Sequence, residues 1–334
     1  MTMWMVRGES GTLYDEFRDK GVVAVGWAEL APQVMVGASR DELADCFRVV
    51  RPELSKGRLI SGASQVWRFV NEISIDDWVA TYSPGNRTYL LGKVTGDYEY
   101  KPEWAESGMP MIRKVQWRGQ EVDRDALSET SRYGLGATMT LFQVRQSVAQ
   151  ELLTHLNADS GSNTDSDSTT DEAGDVPADP LEGIESIALE RIKDLVSKLG
   201  WEEMQELVAG ILRAMGYKTQ VSPPGPDRGK DIVASPDGFG FENPRIVVEV
   251  KHRKGQMGSD AVRSFLGGRH KDDRGLYVST GGFSKDAYYE ADRATVPLAL
   301  WTMDHLVRAL VDHYDNTDAE TKRLVPLKRM YLPA

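Results

Sequence analysis

Residues 226–253 read PDRGKDIVASPDGFGFENPRIVVEVKHR. Two apolar runs, Ile232-Val233-Ala234 and Ile246-Val247-Val248, flank a segment rich in Gly, Pro, Asp and Asn. This pattern predicts two strands joined by a loop. Asp231 opens the first strand, and Glu249 and Lys251 close the second. Side chains two apart in a strand leave the same face, so Glu249 and Lys251 project together, and pairing of the strands would bring Asp231 beside them. Two carboxylates and an ammonium in one place are suited to phosphodiester hydrolysis. Mg²⁺ takes oxygen ligands and keeps several waters, and Asp231, Glu249 and the carbonyl of Val250 would supply the protein's share; Mn²⁺ suits the same oxygens. A bound cation neutralises phosphate charge and lowers the pKa of its water. Lys251 would orient that water or stabilise the developing charge. An Asp and a Glu-x-Lys also occur together as an exposed ion pair of little consequence, so the surroundings decide between the two readings.

Those surroundings are specific. The helix ending in Met215-Gly216-Tyr217, the PDRGKDIVA run, VVEVKHR, the helix DAVRSFLGG, the strand GLYVSTGGFS and the helix KDAYYEADRA follow in order. Together they resemble the catalytic domain of the Mrr family of restriction endonucleases, in the PD-(D/E)XK nuclease superfamily, over about residues 200–310. The resemblance implies a mixed central sheet flanked by helices, with Asp231, Glu249 and Lys251 as catalytic residues. It also implies an active-site position at Gln205, where the family commonly has Glu. Gln can hold a water but brings no charge, so the number of metal ions is left open; Glu202 and Glu206 are alternative carboxylates. Asp227 fits a further family position within a turn.

The elements around the motif agree. Apolar residues at 201, 204, 207, 208, 211, 212 and 215 form a helical stripe, stopped by Gly216. Ser284 is a good N-cap for a helix from Lys285, and free amides there would suit a DNA phosphate, with Thr280 or Ser284 assisting. Lys230, His252, Arg253, Lys254 and Arg263 gather around the acidic cluster and predict a track for a phosphate backbone.

The formal charge of −11 argues against a DNA-binding protein until it is placed. Nine acidic residues and no Lys or Arg lie between Leu156 and Glu185; taking them from −11 leaves −2 for the rest. The stretch is rich in Ser, Thr, Asp, Asn and Gly, and cannot bury enough apolar surface to offset its ordering entropy. It predicts an acidic flexible linker over 157–182. A single cysteine, Cys46, excludes an internal disulfide and a cysteine-cluster zinc site. The five histidines have no zinc-binding spacing, and the chain has no GxxxxGK[ST] run, so ATP is not indicated. No membrane span or signal peptide is expected, and the expected compartment is the cytoplasm.

Residues 1–150 read as a first domain of short strands with few helices. Ser39-Arg40-Asp41-Glu42 opens a helix through Val50, Gln65–Ile73 has helical spacing, and Trp78–Tyr82 and Tyr89–Tyr98 flank the turn Ser83-Pro84-Gly85-Asn86. VVAVGWAEL, QVWRFVNEI and DDWVATYSP…TYLLGKVTGDYEY resemble EVE and other PUA-like domains. That implies an α+β small barrel holding a modified or flipped base in an aromatic pocket, where stacking contributes roughly 1–3 kcal/mol per base. Trp27, Trp67 and Tyr82 are the candidate aromatics, weighed against ordinary core packing of Trp and Tyr.

These readings predict a reader domain at 1–150, the linker, and a nuclease domain at 183–334. The expected function is modification-dependent restriction of foreign double-stranded DNA with Mg²⁺, by a homodimer at least on DNA. The alternatives are a non-catalytic reader of modified DNA, and a nuclease acting on RNA or branched DNA.

Overall fold

Two sheets organise the chain, one in each of two units, Met1–Ile187 and Ala188–Ala334. The computed structural model describes residues 1–54, 56–136, 139–158, 184–223, 230–253 and 255–331. Nearly all of the expected linker, together with Asp227 and Lys254, lies outside the described residues.

In the first unit the strands are β1 (Met3–Val6), β2 (Val22–Val25), β3 (Trp78–Ser83), β4 (Thr88–Val94), β5 (Glu99–Tyr100), β6 (Met111–Asp123) and β7 (Leu141–Gln143). Their paired order is β2-β6-β4-β3-β1-β7, with β5 also on β6. Among the described residues β1–β3 is the parallel pair, and the other pairs are antiparallel. The helices are α1 (Tyr14–Lys20), α2 (Arg40–Val50), α3 (Lys56–Asn71), α4 (Glu129–Gly134) and α5 (Gln146–Ala158).

Several local expectations hold. Ser39 and Glu42 form a capping box on α2, and the β3–β4 hairpin pairs Tyr82 with Tyr89. Others are corrected. α3 starts at Lys56, not Gln65, because Gly57, Ser61 and Gly62 weaken its propensity while tertiary packing holds it. A Cβ at Gly62 would stand 3.1 Å from the Phe47 ring, so glycine is what lets α2 and α3 approach. The apolar run Val22–Trp27 predicts a strand through Trp27, but β2 ends at Val25 and Trp27 has a left-handed backbone, φ 57°. Nor does the first unit stop at 150: α5 runs on to Ala158, burying Val148, Ala149, Leu152, Leu153 and Leu156 in the core with Tyr82 and Tyr89.

The second unit carries β8 (Lys218–Val221), β9 (Ile232–Ser235), β10 (Arg245–Lys251), β11 (Asp273–Ser279) and β12 (Leu298–Thr302), ordered β12-β11-β10-β9-β8. β10–β11 and β11–β12 are parallel, and β8–β9 and β9–β10 antiparallel, so the central sheet is mixed as expected. Its helices are α6 (Ile184–Val196, which begins in the first unit), α7 (Trp201–Ala214), α8 (Ser259–Leu266), α9 (Lys285–Asp292), α10 (Met303–His313) and α11 (Ala319–Leu324). One core joins Val248, Val250, Leu276 and Val278 of the sheet to α7 and α10. The other joins Tyr277 and Leu300 to Val262 and Phe265 of α8 and Ala287 of α9. Alternation along β10 then puts Glu249 and Lys251 on the α8–α9 side.

Candidate active site

Antiparallel pairing of β9 with β10 sets the site. The register Ile246↔Ala234, Val247↔Val233, Val248↔Ile232, carried one step further, puts Asp231 opposite Glu249. The Asp231 amide donates to the Val248 carbonyl at 2.9 Å, and the Val250 amide donates to Asp231 Oδ2 at 2.6 Å. Directly opposed side chains in such a pair lie about 4.5–5.5 Å apart. Asp231 is 3% exposed and Glu249 9%. Lys251 Nζ is 2.7 Å from Glu249 Oε1, so the motif lysine holds one acid of the buried pair.

A second loop fixes the end of β10. The Thr280 amide donates to the Lys251 carbonyl at 3.1 Å, and the Arg253 amide donates to Thr280 Oγ1 at 3.2 Å. His252 Nδ1 also lies 3.2 Å from Thr280 Oγ1. At Gly281 a Cβ would fall within contact of the Gly255 carbonyl and 2.8 Å from that of Arg253, so glycine lets the two loops touch. Tyr277, paired in register with Glu249, has its phenol pushed up by burial first and then by Glu249, with Asp231 adding and Arg253 opposing. The acids and Tyr277 therefore share one field.

The oxygen donors expected from the sequence to hold a cation, Asp231, Glu249 and the Val250 carbonyl, lie on these two paired strands. Two carboxylates buried on adjacent strands are costly together unless a positive charge neutralises them, and the hard oxygen donors fit Mg²⁺ or Mn²⁺. No group of three or more His, Cys, Asp or Glu side chains suited to a metal occurs among the described residues. Gln205 sits in α7, which packs on the Val248–Val250 side of the sheet. It is buried, and its Nε2 has no hydrogen-bond partner among the described residues. Glu206 pairs with Arg213 at 2.5 Å, which makes it a structural ion pair.

The expected DNA-contacting residues divide. His252, Arg253 and Thr280 meet at the end of β10, and Ser284 caps α9 by accepting from the Ala287 amide at 3.2 Å. Lys230 lies just before Asp231 and is half-buried. Arg263 instead links α8 to α9, paired with Glu290 at 3.0 Å and with Asp260. Its side chain is half exposed beside these surface pairs.

In the first unit, a cavity of about 280 Å³ is lined by Trp27, Phe47, Arg51, Leu54, Arg58, Gly62, Gln65, Met139 and Thr140. Trp27 meets Phe47 edge to face, with ring centroids 6.1 Å apart. Trp67 and Tyr82 are placed elsewhere. The Trp67 indole donates to the Ala38 carbonyl at 2.8 Å under the Arg40 guanidinium. Tyr82 is core, its ring 4.8 Å from that of Tyr89. The residues missed, Phe47 on α2 and Arg51 at its C-cap, and Arg58, Gly62 and Gln65 on α3, do carry a signal: i,i+4 and i,i+4,i+7 spacing.

Residues 196–310 match a sequence family described as a restriction endonuclease, its catalytic domain. The second unit carries a restriction endonuclease domain. Residues 3–144 match a domain of unknown function, DUF8426. An uncharacterised protein of Sinorhizobium fredii, y4cE, is 30% identical over 99 residues, 28% of this chain and 25% of that protein. The chain thus spans about a quarter of that relative's length. Among solved structures, the MspJI restriction endonuclease in complex with a 27-mer oligonucleotide aligns at 13% identity over 96% of this chain and 70% of that one, with a TM-score of 0.32. The DNA modification-dependent restriction endonuclease AspBHI aligns at 15% identity over 81% and 72%, with a TM-score of 0.30. Neither score is high enough to equate the folds. No helix among the described residues is long and apolar enough to cross a membrane.

Proposed function

We propose that the chain is a modification-dependent endodeoxyribonuclease. Its second unit hydrolyses a DNA phosphodiester, and its first, an EVE- or PUA-like reader, holds a modified base. The observation that carries the reading is the placement of Asp231 opposite Glu249 with Lys251 on the same face, inside the segment matched to restriction endonucleases. Asp231, Glu249 and the Val250 carbonyl would hold Mg²⁺, which when bound would supply positive charge against the phosphate. Lys251 donates a hydrogen bond to the attacking water or to the phosphate oxygen as negative charge builds. The water oxygen bonds to phosphorus, the ester P–O bond breaks, and the leaving oxygen takes a proton. Thr280 holds the strand end that carries Lys251, and His252, Arg253 and Ser284 lie where the DNA backbone would run.

A cut through both strands needs two such sites, so the active species is a homodimer on DNA. The biological role is cytoplasmic defence against foreign modified DNA. A second reading, a modified-DNA binder without catalysis, is favoured only by Gln205, which replaces a family carboxylate with a neutral amide.

Cleavage of unmodified, 5-methylcytosine, 5-hydroxymethylcytosine, glucosylated and N6-methyladenine DNA with Mg²⁺ separates the two. The expected outcome is cutting confined to modified DNA and reduced at least about a hundredfold by Lys251→Ala, with DNA affinity nearly unchanged. Selective binding with no cutting of any substrate would establish the binder instead.

A further inference from the structure

One face of the first unit's sheet is covered by α5, where Met3, Ala80, Tyr82, Tyr89 and Leu91 pack against Val148, Leu152 and Leu156. At one end of that face the side chains reach solvent. Trp78 and Lys93 are half-buried there, and Gln116 and Arg118 are exposed. The register pairs Trp78 with Lys93 and Lys93 with Gln116, and residues opposed across neighbouring strands share a face. The Lys93 ammonium lies 5.7 Å from the centroid of the Trp78 ring, and the Arg118 guanidinium reaches over the same ring at 5.5 Å.

Two features set these cations apart. Neither is paired with a carboxylate among the described residues, whereas Arg18, Arg40, Arg48, Lys101 and Lys114 of the same unit each are. Both are also drawn to one aromatic platform by the ring quadrupole. That restrains two long side chains in advance, so less freedom is lost when they close on a ligand. The acids closest along these strands do not neutralise them. Asp77 accepts from the Trp4 indole and the Ser74 amide at 3.1 and 3.0 Å, which holds it toward the other face, where Trp4 is core. Glu121 is engaged by Thr88, with Arg18 at 4.0 Å. Asp76, in the turn before β3, pairs with neither cation.

We infer that Trp78, Lys93 and Arg118 form a surface that docks the sugar–phosphate backbone of double-stranded DNA. The inference rests on the reading of the chain as a DNA nuclease with a base reader in its first unit, and gives that unit a backbone contact. Charge complementarity selects the partner: unneutralised cations on a chain of net −11 attract a polyanion locally while the rest of the chain does not. An ammonium and a guanidinium both suit phosphate oxygens. The surface is separate from the cavity beside Trp27. That cavity is lined by Thr140, next to Leu141, which pairs with Val6 at one end of β1; Trp78 pairs with Met3 at the other end. Phosphate contacts fix position on a duplex and carry no base information, so this face supplies affinity and leaves selection to a base-contacting site.

The test uses the full chain in EDTA, so that no metal supports cleavage. Fluorescence anisotropy is measured across a salt series on unmodified, 5-methylcytosine and 5-hydroxymethylcytosine duplexes. Each phosphate contact contributes about 0.9 to the slope of log K against log salt. Lys93→Gln and Arg118→Gln are each expected to make the slope shallower by about that amount. Each should weaken binding of all three duplexes by one common factor, about three- to tenfold at about 0.1 M salt. Arg48→Gln removes an exposed cation already paired with Asp45 and is expected to leave the slope unchanged. Melting temperatures show that the variants fold, and either of the first two carries the test alone. Wild-type slopes in both overturn the inference, as does an equal change in Arg48→Gln, which makes the effect one of net charge. A loss confined to modified duplexes overturns it too, and moves both residues to base recognition. A dimer seen by sedimentation without DNA and lost in the variants, with DNA slopes unchanged, assigns the face to a second copy instead. Wild-type binding that does not distinguish modified from unmodified DNA overturns the reader reading, while the slopes on unmodified DNA still decide this inference.

Discussion

At the scale of single residues, the site depends on a few close approaches. Thr280 and Gly281 press the loop after β11 against the loop after β10, and Thr280 accepts from the Arg253 amide while donating its own amide to the Lys251 carbonyl. A methyl group at Gly281 has no room between the Arg253 and Gly255 carbonyls. Gly281→Ala is therefore expected to move the segment that carries Lys251, reducing DNA cleavage at least tenfold. Overpacking of this kind costs about 1–3 kcal/mol, so the melting temperature should fall as well. Steady-state cleavage and thermal melting check both. Unchanged activity would mean that the two loops are not coupled to the site.

At the scale of elements, α7 is held to the sheet by its apolar stripe and to α11 by a glycine. A Cβ on Gly210 would collide with Thr321 Oγ1 and stand 3.1 Å from Thr321 Cβ. Glycine inside a helix ordinarily costs about 0.5–1 kcal/mol relative to alanine. Here the contact reverses that preference, and Gly210→Ala is expected to lower the melting temperature of the second unit rather than raise it. Asp318 caps α11, accepting from the Thr321 amide and hydroxyl at 2.8 Å each. Partial burial opposes its charge, but the Thr321 bonds and then the Arg213 guanidinium outweigh this and hold the carboxyl at about 2. A depressed carboxylate pKa gives stability that is present above the ordinary value near 3.8 and is lost as pH falls through the folded value. Asp318→Asn should flatten the fall of melting temperature between about pH 4 and pH 2 relative to wild type; parallel curves would show that the cap does not report on folding.

At the scale of the whole molecule, charge is segregated along the chain. The nine acids between Leu156 and Glu185 carry most of the net −11. They also repel DNA phosphates over about a Debye length, roughly 10 Å at 0.1 M salt. Replacing those acids with Ser and Gly at constant length is expected to raise affinity for unmodified DNA several-fold at low salt, and to do so less at high salt. Filter binding across a salt series measures this. An affinity unchanged at every salt concentration would leave the acids with a role in solubility alone.

Much of the second unit could be read from the chain. The Trp201–Met215 stripe, the strand pair around PDG and the Ser284 cap are local patterns, and period and capping chemistry are written in adjacent residues. The motif Glu249-x-Lys251 was legible for the same reason, because strand alternation alone puts both on one face. The sequence also determined where the acidic charge lies. Tertiary structure decided the rest. Only the β9–β10 register brings Asp231 opposite Glu249. Only packing of α8 on α9 commits Arg263 to Glu290. Only the approach of α2 to α3 turns Phe47, Arg51, Arg58 and Gln65 into the walls of one cavity, with Trp27 on it and Trp67 and Tyr82 elsewhere. Local patterns fix which face a side chain leaves, whereas what it meets there depends on residues distant in the chain.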